Sequence, residues 1–127
     1  MEYEIFTICD NAQNYDGKMV IVGTFDTIFS KSFPMTCDAF SLAVKINCTT
    51  SEITDPKIQI DLKEKDSGVE VCPQINAQIP LNPGTPDQSI SLVINFQKIS
   101  FMKPGDYHVD FKFNGETRRR PLHLKLQ

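Results

Sequence analysis

The chain has 127 residues, 40% of them apolar, with 9 Phe, no Trp and a formal net charge of −3. That length supports one domain, 1–127, able to bury roughly two-thirds of its unfolded surface. No apolar run approaches the ~20 residues of a membrane span, the opening Met-Glu-Tyr-Glu-Ile-Phe lacks the basic and apolar regions of a secretory signal, and the negative balance weighs against a general nucleic-acid binder.

In chain order, the first strand is expected over about Glu2 to Asp10, with Tyr3, Ile5, Phe6, Ile8 and Cys9 on both faces. Asp16-Gly17 supplies the positive φ of a tight hairpin, and the second strand follows from Lys18 to about Asp26. Gly23 inside it indicates a bulge or a close backbone approach. From Thr27 to Asp38 the pattern lapses into an irregular apolar stretch. Its Ile28, Phe29 and Phe33 either plug the end of the core or form a sticky contact loop. An aromatic before proline admits a cis Phe33–Pro34 bond, with trans the expectation.

Beyond Asp38 apolar and polar residues alternate with period two. Phe40, Leu42, Val44, Ile46 and Cys48 form one row, and the beat returns in Ile58-Ile60-Leu62, in Val69 to Ile79, in Ile90-Leu92-Ile94-Phe96 and in Tyr107-Val109-Phe111-Phe113. Strands with one face on a core and one in water read this way. Ser51-Glu52-Ile53-Thr54 suits a single helical turn. Asp66-Ser67-Gly68 is a hairpin signal, Pro73 marks an edge strand or bulge, and Pro80 to Asp87 reads as a crossing between sheets. A parity flip at Ile99 and Phe101 indicates a bend, and Asn114-Gly115 joins the last two strands. The fold class is therefore all-β: an antiparallel β-sandwich of about eight strands, immunoglobulin-like in shape.

Chemistry is sparse. Cys9, Cys37, Cys48 and Cys72 are scattered, with no Cys-x-x-Cys pair, so zinc is not expected and all four read as thiols in a reducing cytoplasm. No phosphate loop, nucleophile elbow or zincin motif occurs, and we expect no cofactor and no catalytic residue. His108 and His123 fall on the polar parity of the last two strands. With Asp106 and Asp110 they form a candidate metal cluster, against the commoner reading of surface histidines brought opposite by chance. Asp10, Asp16, Asp26 and Asp38 at the turns admit a calcium site but read more simply as turn caps.

Charge is unevenly placed: residues 1–97 carry net −7 and residues 98–127 net +4. Lys112, Arg118, Arg119 and Arg120 on the last hairpin are candidate contacts for an anionic partner. The plainer alternative is that Glu2 and Glu4 of the first strand balance them.

Cys9-Asp10-x-Ala12, Asp16-Gly17-Lys18, Val22-Gly23-x-Phe25-Asp26-x-Ile28, Phe33-Pro34, Pro104-Gly105-x-Tyr107 and Asn114-Gly115 together form a recognisable set. In these motifs the chain resembles an uncharacterised family of small bacterial all-β proteins of unknown function. The resemblance implies a compact β-sandwich and no activity, since its motifs are turn, bulge and core positions. Tyr107 after Pro-Gly-Asp is also similar to the tyrosine corner of immunoglobulin-like sandwiches. We expect a non-enzymatic binding or assembly module acting through loops or a strand edge on a protein partner or a second copy, with no membrane and nucleic acid disfavoured. The alternative is a metal-dependent protein using the His/Asp cluster.

Overall fold

Burial of one side-chain row per strand organises the chain into two sheets over a common core. A computed structural model describes all 127 residues. Its strands are β1 (Glu2–Tyr15), β2 (Lys18–Thr24), β3 (Thr27–Ser30), β4 (Met35–Thr49), β5 (Lys57–Glu64), β6 (Ile75–Gln78), β7 (Asp87–Phe101), β8 (Gly105–Phe113) and β9 (Glu116–Leu126). The first sheet has the order β2-β1-β4-β7 and the second the order β3-β9-β8-β5-β6. The second sheet curls into a half-barrel.

Leu42, Val44 and Ile46 of β4 and Ile90, Ile94 and Phe96 of β7 pack in one cluster with rows from the second sheet. Those rows are Ile58, Ile60 and Leu62, then Tyr107, Val109, Phe111 and Phe113, then Leu122 and Leu124. Phe40 stacks on Phe96 at 4.9 Å between ring centroids, and Tyr3, Phe6 and Phe111 meet edge to face at 5.9–6.2 Å. Each fully buried side chain of this size contributes roughly 1.5–3 kcal/mol over its exposed state.

A second, smaller cluster of Cys9, Ala12 and Ala43, ringed by Ile5, Met19, Ile21 and Val93, lies on the other face of the first sheet. It exists because β1 peels away from β4, which itself runs on to Met35. Pairing of β1 with β4 ends at Cys9–Ser41, whereas β1 and β2 stay paired to Tyr15–Lys18. The excess hairpin forms an arm over the outer face of β4 and β7, and Asn14 Nδ2 donates to the Ser91 carbonyl at 3.4 Å. Gly23 permits the bend at the base of the arm. Its φ is +67°, and a Cβ there would sit 2.5 Å from Asp10 Oδ2.

The structure corrects several expectations. There are nine strands, and the sheets are not wholly antiparallel, because β3 runs parallel to β9 from Thr27–His123 to Ser30–Leu126. The pattern hid β3 because four residues are too few to show a period. The expected strand from Val69 to Ile79 shrinks to Ile75–Gln78, preceded only by an isolated Lys63–Glu70 bridge; Pro73, which cannot donate to a ladder, lies in the interruption. The Phe33–Pro34 bond is cis. The expected helical turn is a 3-10 turn at Thr50–Glu52. Gly23 marks a close approach to Asp10 and no bulge, since β1 and β2 keep one register from Cys9–Thr24 to Tyr15–Lys18. The bend before Ile99 is present, with Lys98 at φ 52°.

Replacing Phe111 by Ala is expected to cost about 3–5 kcal/mol in urea unfolding. Replacing the 60%-exposed Phe29 by Ala is expected to change stability by less than about 0.5 kcal/mol. Equal losses at both positions would contradict this core.

Candidate functional site

Strand alternation divides the basic hairpin. Register pairs Arg118 with Phe111, Arg119 with Asp110 and Arg120 with Val109, so Arg118 and Arg120 share the core-side face while Arg119 points away. Arg118 lies 4.3 Å above the Tyr3 ring, a cation–π contact at the end of the core. Arg119 Nε and Nη2 donate to Asp110 Oδ1 and Oδ2 at 2.7 and 3.1 Å, a bidentate pair. Arg120 lines a shallow cavity with Thr7, Thr24, Phe25 and Asp26. Lys112 is exposed and makes no ion pair within 4 Å. The four expected anion contacts thus form no single patch. Nor do Glu2 and Glu4 balance them, since Glu4 pairs with Lys45 of β4 at 3.1 Å.

The histidines do share one side of the second sheet. His123 Nδ1 lies 2.7 Å from Asp106 Oδ1, and His108 Nε2 lies 3.5 Å from Asp110 Oδ2. Both rings line a cavity of about 280 Å³ with Lys65 and Arg119. They form separate pairs, and no group of three or more His, Cys, Asp or Glu side chains converges to hold a metal ion. Opposition on neighbouring strands brings two ligands together, and a third would have to come from another element.

Burial holds His108 below the ordinary imidazole pKa, against the pull of Asp110, and Arg119 acts with burial. Its Nδ1 is buried without a hydrogen-bond partner. The His123 contact holds the Asp106 carboxyl below its usual range. Asp61, which sequence reasoning missed, is buried on the same side. It accepts from Gln74 Nε2 at 2.9 Å and Gln59 Nε2 at 3.3 Å.

The apolar loop separates by residue. Ile28 and Phe33 pack against the core, while Phe29 stays exposed at the outer edge of β3. The loop therefore mainly plugs the core and offers one side chain outward.

Backbone supplies the remaining candidate. Two open sheets end in β2, β7, β3 and β6. The edges β3 and β6 are four residues each, flanked by Asp26 and Lys31 and by Pro73 and Pro80. The edge β2 is seven residues, begins at Lys18 and is broken by the left-handed Gly23. Charge, proline, irregularity and short length are the usual protections against strand pairing.

The edge β7 has 15 residues, and from Gln88 to Gln97 it carries no charge, proline or glycine. It pairs with β4 throughout, and Asn14 makes the only other hydrogen bond to its backbone. At Ser89–Leu92 the strand lines a groove of about 500 Å³ between the arm (Asn14, Gly17) and the sheet crossing (Pro80, Asn82). An uncharged ten-residue run was the sequence signal for this edge, but membership of an edge cannot be read without strand order.

Two sheets over one core, with one long unprotected edge, define an all-β domain. The chain belongs to the family of unknown function DUF6941, whose model matches residues 4–125, so the expected kinship with an uncharacterised family holds. No curated protein matches the sequence. No helix is long and apolar enough to cross a membrane.

Because the folded chain disfavours protonated His108, the unfolded chain takes up that proton first as pH falls. Stability should therefore decline as pH drops through about 6.5. A His108→Gln variant is expected to show a shallower decline between about pH 6.5 and 5 in urea titrations. An unchanged slope would show that His108 is not responsible.

Proposed function

We propose that this chain is a non-enzymatic binding and assembly module that takes a protein partner by strand addition at the free edge of β7. One observation carries the reading: Gln88–Gln97 is an uncharged, proline-free run on an edge strand whose outward backbone is met only by Asn14. Outward N–H and C=O groups of such an edge give affinity to an incoming extended segment, and alternating side chains give register. The other three edges each carry a feature that resists the same event. The exposed apolar side chains Val20 and Val22 on the arm and Phe29 on β3 are secondary contacts in this reading. The metal-dependent alternative draws no support from the separate His123–Asp106 and His108–Asp110 pairs.

An immunoglobulin-like shape belongs to the same reading. It is supported by a tyrosine corner, in which the Tyr107 hydroxyl donates to the Lys103 carbonyl at 2.7 Å. A bacterial cytoplasm suits the four free thiols.

Photo-crosslinking side chains placed singly at Ser89, Gln97, Val20 and Phe29 test the proposal in cell extract. Crosslinks to a defined protein or to the chain itself should concentrate at Ser89 and Gln97. Equal labelling at all four positions, or labelling centred on Val20 or Phe29, would overturn the assignment to β7.

A further inference from the structure

The strand-addition reading leaves the occupant open, and the sequence of β7 narrows it. An antiparallel partner places directly opposed residues on the same face, so a two-fold pair keeps core row against core row only when a residue meets itself. Centring on Val93 sets Leu92 against Ile94, Ile90 against Phe96, Ser91 against Asn95 and Ser89 against Gln97. Apolar residues then meet apolar ones and polar residues meet polar ones along the whole overlap. Centring on Leu92 instead opposes Gln88 to Phe96 and Ser91 to Val93.

Two further observations favour the Val93 centre. The groove walled by Asn14, Gly17, Pro80 and Asn82 flanks Ser89–Leu92. This register lays the other copy's Ile94–Gln97 along that segment. Asn95 and Gln97 of that segment are exposed. The walled half of each edge therefore receives the unwalled half of the other, twice, with no wall meeting wall. The first charges beyond the run are Asp87 and Lys98. Across the pair Lys98 stands opposite Gln88, one residue from the other copy's Asp87, so opposite signs are neighbours at both ends. Lys98, at φ 52°, bends the strand there and closes the overlap.

We infer that the occupant is a second copy of this chain, joined edge to edge through β7 about a two-fold axis at Val93, so that two four-stranded sheets become one of eight. This rests on the strand-addition reading and deepens it. The interface is isologous, as in most homodimers.

Sedimentation of the purified chain over a concentration series tests it, with charge variants at the facing pair. Ser89 and Gln97 are both exposed, so substitutions there should leave the far-UV spectrum unchanged. The wild type should pass from one to two chain masses. The double variant Ser89→Lys/Gln97→Lys, which opposes like charges at two places, should weaken the dimer at least ~10-fold. Ser89→Glu/Gln97→Lys should restore it, and Val20→Lys on β2 should not matter. A chain that stays monomeric throughout overturns the second copy as occupant, while the crosslinking pattern at β7 separately decides whether another protein is added there. A dimer indifferent to both double variants overturns this register, and if Val20→Lys disrupts it, the β7 reading falls as well.

Discussion

Every backbone N–H and C=O in a folded chain needs a partner, and two open sheets leave four strands with outward groups that the fold itself does not pair. The molecule meets that constraint differently at each edge. It keeps β3 and β6 to four residues and bends β2 at Gly23. At β7 it leaves a long, regular, uncharged edge. The functional reading follows from that contrast, since an edge without protection is either a hazard or a contact.

The length of this edge is a consequence of the core. β4 and β7 pair over 15 residues because both supply core side chains from end to end, from Phe101 opposite Met35 to Ile90 opposite Ile46. The same length exposes the outer face of the first sheet. The arm of β1 and β2 covers part of it, burying Cys9, Ala12 and Ala43. Its tip in turn forms one wall of the groove at Ser89–Leu92. Core, arm and groove are thus successive results of one long ribbon.

Much of this was legible in the residues. Period-two burial named the rows of β4, β5, β7 and β8, and Tyr107, Phe111 and Phe113 are buried as their parity required. Gly23, Asn114-Gly115 and the Pro80–Pro86 crossing marked real turns and bends. What stayed hidden depends on strand order. β3 is held by parallel pairing to β9, almost a hundred residues away in sequence, and no local pattern encodes that. The same limit applied to the arginines: a run of three looks like a patch, yet Asp110 and Tyr3 take Arg119 and Arg118 to opposite faces. The His/Asp cluster also looked denser in sequence than it is, because strand opposition yields pairs and the fold adds no third ligand.

Amide hydrogen exchange, resolved residue by residue, tests the central claim most directly. In dilute monomer the outward amides between Ser89 and Gln97 should exchange freely while the inward ones, bonded to β4, stay protected. In the assembled state the outward set should become protected, with β2, β3 and β6 unchanged. Outward amides of β7 that remain unprotected after assembly, or protection that arises at β2 instead, would contradict the account.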